Sequence, residues 1–193
     1  MFTKAFQKRA FSVTHSKVAV VGAGTAGQNV CAQLARTGKV NDYDITIFDP
    51  SADHHYQAAY TMVAGGVLGN AERTKSHYEG THVVRPQREL LKHTPGVNWQ
   101  QKAVVSFDPN NNELTLNDGS KATYDYLIVN PGLKLRYDKI EGAQEALDDP
   151  NCPVGSMYYL KGAYKTSVLR ENFRGGNAIF MCPPFPIKCG GAP

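Results

Sequence analysis

Lys17-Val18-Ala19-Val20-Val21-Gly22-Ala23-Gly24-Thr25-Ala26-Gly27 is a short apolar run closed by three spaced glycines. The run predicts a buried strand from Lys17 to Val21, and Val30, Leu34 and Ala35 fall in helical phase across Gln28 to Arg36. Gly38 ends that helix, and Ile45-Thr46-Ile47-Phe48 is the next strand, finishing at Asp49. A strand, a helix and a second strand within about 30 residues make a βαβ unit, so the two strands run parallel. The glycines have separate tasks in such a unit. Gly22 permits the tight turn, Gly24 lets backbone approach a pyrophosphate, and Gly27 lets helix and strand pack closely. Amides at the helix start, around Thr25 and Ala26, are placed to carry the anion, and Asp49 to accept hydrogen bonds from ribose hydroxyls. Asp49 alone leaves open which dinucleotide binds.

Working outward to the N-terminus, Met1 to Ser16 is basic, hydroxyl-rich and without acids, with Phe2 and Phe6 at helical spacing. Those are marks of a mitochondrial transit peptide over residues 1–16, and Arg9-Ala10-Phe11 before Ser12 resembles a matrix-protease cleavage site. Lys4, Lys8 and Arg9 account for three of the four net positive charges of the 193-residue chain. The remainder is almost neutral, which removes nucleic acid as an expected partner. No run of about 18 apolar residues occurs, so no spanning helix is expected, although attachment to a membrane surface is not excluded. The four cysteines, Cys31, Cys152, Cys182 and Cys189, form neither a C-x-x-C pair nor a zinc-type array, and no metal site is expected. Asp53, His54 and His55 resemble a metal cluster only superficially and read as loop residues near the cofactor.

Toward the C-terminus, Tyr60 to Gly69 reads as loop and short helix, and Val83 to Lys92 as a weak helix interrupted by Pro86. The pattern then changes to short β runs: Val97 to Phe107, Glu113 to Leu116 and Thr123 to Val129, with turns at 108–112 and 117–119. This is a β meander inserted before a strand returns to the first sheet. Gly132 to Pro153 reads as an irregular linker, and Tyr159 to Phe173 as an amphipathic helix stopped by Gly175-Gly176. Asn177 to Cys182 is then an apolar strand that opens a second α/β unit. A second nucleotide-binding half would repeat the glycines here. Pro183, Pro184 and Pro186 instead offer no amide hydrogens to a phosphate, so a nicotinamide nucleotide is not expected to dock after this strand.

Two resemblances add to this reading. Thr123-Tyr124-Asp125-Tyr126-Leu127-Ile128-Val129-Asn130-Pro131-Gly132 resembles the second flavin-contact motif of the two-dinucleotide flavoprotein reductases. Those usually end it in Ala-Thr-Gly, so Gly132 is the position carried over, where backbone comes near the flavin nucleotide. Asn177-Ala178-Ile179-Phe180 followed by Pro186-Ile187-Lys188-Cys189-Gly190-Gly191-Ala192-Pro193, together with Phe48-Asp49-Pro50-Ser51, His55-Tyr56-Gln57 and Thr61 to Gly66, are similar to the mitochondrial sulfide:quinone oxidoreductases. Asp49 stands where relatives commonly use Glu.

The resemblance implies an α/β fold: a Rossmann-like FAD-binding domain, parallel sheet plus β meander, over residues 17–135. Residues 136–193 would be a linker and the truncated start of a second Rossmann-like domain. It implies FAD as cofactor, contacted by Gly22, Gly24, Thr25, Ala26, Gly27, Asp49, Gln57 and Gly132. It implies sulfide and ubiquinone as substrates, an unidentified sulfur acceptor, and a peripheral place on the mitochondrial inner membrane through sequence beyond Pro193. Cys189 matches the cysteine expected to deliver electrons to the flavin, and its partner would lie outside the 193 residues. Lys188 beside it, and amides of any following helix, would favour the thiolate. Two alternatives stand beside this reading: an NADH:quinone reductase of the same flavoprotein type, and a non-catalytic truncated product. Cys31 is expected to be a packed small apolar residue and Cys152 an unpaired loop thiol.

Overall fold

The computed structural model describes residues 13–39, 41, 44–68, 83–94 and 96–181. Its centre is strand β1 (Val13–Val21), flanked by β2 (Ile45–Phe48) on one edge and β8 (Lys121–Val129) on the other, both parallel to it. Helix α1 (Thr25–Arg36) joins β1 to β2. Its last turn closes where Thr37 donates to the Leu34 carbonyl and Gly38 takes a φ of +65°, a left-handed position that favours glycine. Strand β1 starts four residues ahead of the expected Lys17, because Val13 to Ser16 find partners in Lys121 to Tyr124 of β8.

From Val18 to Val21 both faces of β1 are buried, as a central parallel strand requires. Val18 and Val20 pack with Ile45, Ile47 and Cys31 on the α1 side, while Ala19 and Val21 pack with Phe48, Leu114, Leu116 and Tyr124 on the other. The expected single run Val97 to Phe107 is two strands, β5 (Val97–Gln100) and β6 (Val104–Asp108). They sit at opposite ends of one six-stranded sheet, ordered β5-β2-β1-β8-β7-β6, with β7 at Glu113–Leu116. Six strands laid flat would separate its ends by about 24 Å. The residues from Gln100 to Val104 reach at most about 14 Å. The sheet therefore curls, and the antiparallel meander β6-β7-β8 folds over the second face of β1 and β2. Lys102 pins this return with a 2.8 Å ion pair to Asp118 in the β7–β8 turn; hydrogen bonds from Lys102 and Ser120 hold that carboxyl well below the usual carboxylate range.

A second cluster lies beside the sheet. Strands β3 (Asp53–His55) and β4 (Val84–Pro86) form an antiparallel ribbon, and α2 spans Tyr60–Ala64. The expected helix over 83–92 divides at Pro86: the proline ends β4 and α3 (Gln87–Leu91) begins after it. The linker contains a short helix α4 (Ala143–Asp148), and α5 runs Leu160–Asn172. Lys165 of α5 ties the two by donating to the Ala146 and Asp149 carbonyls at 2.8 and 2.7 Å. Leu160 and Ala163 of α5 pack on Ala59, Tyr60, Val63 and Ala64.

The expected strand from Asn177 to Cys182 is corrected: residues 177–181 join neither sheet and lie exposed, Phe180 at 92 %. A strand needs a neighbour for its backbone groups, and among the described residues this segment has none. Cys182 and the proline loop with Cys189 lie outside the described residues, as do residues 1–12.

Candidate nucleotide-binding site

The parallel strands bring their carboxyl ends to one edge, since Val21 is in register with both Phe48 and Val129, and Phe48 with Gln100. In open α/β sheets that edge is where ligands bind. Three segments gather there: the glycine turn after β1, Asp49 after β2 and Asn130-Pro131-Gly132 after β8.

The three glycines occupy different environments. Gly22 has a φ of +95°, and a Cβ on it would stand 2.1 Å from the Asn130 carbonyl oxygen. A Cβ on Gly27 would stand 1.9 Å from the Gly22 carbonyl oxygen and 3.5 Å from Ile47 Cδ1, so the helix start is pressed onto the turn. Gly24 has nothing within 4 Å of its would-be Cβ. It precedes α1 as the residue before the first helical turn, no side chain caps that turn, and no acid lies in it. The 12-residue helix thus presents its positive end to open space, flanked by exposed Thr25 and Ala26.

Asp49 holds the turn from the side. Its Oδ2 accepts the Ala23 N–H at 2.7 Å and its Oδ1 the Ser51 N–H at 2.8 Å. A carboxylate offers about four lone-pair sites, so acceptor capacity remains for hydroxyl groups. Gly132 is exposed with a φ of +75° and open space around it. Gln57 is exposed at the start of the 57–59 turn, and none of the bonds around the glycine turn involves it. Among the described residues no cluster of three or more His, Cys, Asp or Glu could hold a metal ion. Cys31 is fully buried, and burial pushes its thiol up to about 11, which leaves it an inert packed residue.

Two features escape a reading of the residues alone. Asn130 Nδ2 is buried without a hydrogen-bond partner, next to the point where its own carbonyl meets Gly22. His54 is not a loop residue but a buried member of β3, with Nδ1 3.3 Å from the Ala23 carbonyl oxygen. Gln28 and Gln87 converge on the same oxygen at 3.2 and 3.0 Å. Burial pushes the His54 imidazole below its ordinary value of 6.5. Gln87 lies 64 residues from Ala23, and nothing in a one-dimensional pattern links them.

The profile of the pyridine nucleotide-disulphide oxidoreductases matches residues 16–160. A mitochondrial sulfide:quinone oxidoreductase of Dictyostelium discoideum is 34% identical over 179 residues, covering 92% of this chain and 36% of that protein. The mitochondrial sulfide:quinone oxidoreductase of Mus musculus is 33% identical, covering 93% of this chain and 36% of its own. The solved sulfide:quinone oxidoreductase of Aquifex aeolicus superposes with a TM-score of 0.57 at 22% identity, over 82% of this chain and 32% of that one. At that identity the superposition shows the shared Rossmann-like fold. The chain spans about a third of the length of these relatives.

Proposed function

The chain belongs to the pyridine nucleotide-disulphide oxidoreductase family, and on that premise we propose that it is the FAD-binding part of a mitochondrial sulfide:quinone oxidoreductase. The observation that carries the reading is 34% identity, over 92% of the chain, to a protein of that name. The residues present suit FAD. Gly24 leaves open space before an uncapped helix start, Asp49 keeps acceptor capacity, and Asn130 holds a buried amide without a partner. The pyrophosphate would sit on the α1 amides, the ribose hydroxyls on Asp49, and the flavin side along Gly132 and Gln57. FAD would supply a two-electron acceptor that passes electrons on to ubiquinone.

The chain's own reactive group in this scheme is Cys189, working with a second cysteine from sequence beyond the 193 residues. Sulfide attacks their disulfide, the S–S bond breaks, one sulfur keeps the new sulfur atom as a persulfide, and Cys189 leaves as a thiolate. Lys188 lowers the cost of that negative charge. The sulfur then passes to an acceptor thiol or similar nucleophile. The proposed location is the inner-membrane surface of the mitochondrion. Among the described residues no helix is long and apolar enough to cross a membrane. Cleavage before Ser12 would leave β1 whole, whereas cleavage after Ser16 would remove its first four residues, Val13 to Ser16.

Sulfide added to the purified full-length protein should bleach its flavin absorbance, and Cys189→Ser should abolish the bleaching. Sulfide-independent flavin reduction by NADH, or full activity in Cys189→Ser, would overturn the proposal.

A further inference from the structure

Ala23 lies fully buried between Gly22 and Gly24, and its polar groups are gripped from two sides. Its N–H donates to Asp49 Oδ2 at 2.7 Å. Its carbonyl oxygen accepts from Gln87 Nε2 at 3.0 Å and Gln28 Nε2 at 3.2 Å, with His54 Nδ1 at 3.3 Å. The two glutamines also hold each other, Gln28 Nε2 donating to Gln87 Oε1, and His54 Nδ1 lies 3.2 Å from Gln28 Nε2. They come from three elements, α1, β3 and α3, and α3 is itself fastened where the Gln87 N–H donates to the Ala52 carbonyl at 2.8 Å. Gln87 is 1% exposed and His54 9%.

Burying the Gln87 amide and the His54 imidazole, with the Gln28 amide partly buried beside them, is costly unless each is hydrogen-bonded, and here they cluster on one carbonyl oxygen. The consequence lies on the other side of the peptide bond. A trans peptide is planar, so the Ala23 carbonyl and the Gly24 N–H belong to one rigid unit and point in opposite directions. A carbonyl held inward in the buried cluster turns the Gly24 N–H away from it. Gly24 is the glycine with open space before it, at the uncapped start of α1.

We propose that Gln28, His54 and Gln87 are positioning residues that lock the Ala23–Gly24 peptide plane and so present the Gly24 N–H to the pyrophosphate of the bound dinucleotide. They touch no ligand themselves. Their effect is preorganisation, because a peptide plane already turned to its bound orientation has less freedom to lose on binding. The proposal rests on the flavin nucleotide reading of the site.

The test uses the full-length protein, nitrogen-15 labelled at glycine, with FAD titrated into the apoprotein by fluorescence quenching and the Gly24 amide followed by NMR. Gln87→Met and Gln28→Met, each close in volume to the native residue, should shift and broaden the Gly24 resonance before any nucleotide is added. They should weaken FAD affinity about tenfold, the effect of losing one buried hydrogen bond of ordinary strength. The double variant should cost little more than either single one, because the three groups act together. His54→Asn, which keeps a nitrogen donor near the Nδ1 position, should retain most affinity, whereas His54→Leu should lose it. A merely structural role predicts instead that affinity follows melting temperature across the set and that the Gly24 resonance stays put. Unchanged affinity in Gln28→Met, whose side chain is only partly buried, overturns the proposal even if Gln87→Met fails to fold. A full-length parental protein that binds no FAD overturns the nucleotide reading and the positioning role with it. A parental chain that binds FAD as its variants do overturns the positioning role alone.

Discussion

Val18-Ala19-Val20-Val21 and Ala178-Ile179-Phe180-Met181 are both unbroken apolar quartets, and as sequence they carry the same strand signal. Val18 to Val21 lie between 0% and 8% exposed, whereas Ile179, Phe180 and Met181 are 84%, 92% and 83% exposed. The difference lies in their surroundings. β1 has hydrogen-bonding neighbours on both edges, with α1 packed on one face and the meander on the other. The second quartet has no strand beside it among the described residues. Burial of such side chains is worth about 1.5–3 kcal/mol each, and that energy is available only where a partner surface exists.

Substitution at Val20 gives the sharpest contrast. Val20→Asp would bury an unpaired carboxylate in the central strand and should cost more than about 4 kcal/mol, enough to remove the cooperative thermal transition seen by circular dichroism. A folded Val20→Asp chain would break the comparison. Gly27→Ala comes next, since its methyl would meet the Gly22 carbonyl oxygen, a backbone atom that cannot swing aside. About 3 kcal/mol is expected in urea melts. Gly24→Ala, with nothing near its would-be Cβ, should leave stability within about 1 kcal/mol and reduce FAD affinity instead.

A smaller effect is expected from pH. Burial lowers the folded pKa of His54 below 6.5, helped by neighbouring His55 and Arg85 and opposed by the Ala23 carbonyl and Asp49. The unfolded chain then binds the proton more readily, so this contribution to stability is present above 6.5 and is lost as pH falls below it toward the folded pKa. His54→Asn should flatten the slope of stability against pH between 7 and 5 by about one proton or less. The smallest effect belongs to the second quartet. Phe180→Ser should change unfolding free energy by no more than about 0.5 kcal/mol, while lowering any self-association measured by sedimentation.

The parts of the fold legible in the sequence are those with local causes. The unit from β1 through α1 to β2 is signalled by an apolar run, a glycine turn and helical periodicity within one short span, and Asp49 is placed by the end of its strand. The β meander is legible from its turns, and the helix over 160–172 from its termini. The division of 97–107 was not, because Val97 and Val104 are equally apolar and only the curled sheet sends one to each end. The grip on Ala23 was not legible either. His54 reads as a loop residue, and its meeting with Gln28 and Gln87 depends on β3 and α3 being folded against the turn.

By itself the sequence determined the βαβ unit, the glycine positions and the acid at the end of β2, since each depends on backbone conformation and spacing over a few residues. The tertiary structure alone decided which apolar run became a strand. It also decided that the Asn130 carbonyl closes on Gly22, and that two glutamines and a histidine from three elements hold one carbonyl oxygen. Burial and hydrogen-bond satisfaction belong to pairs of surfaces, and a single stretch of chain supplies only one member of each pair.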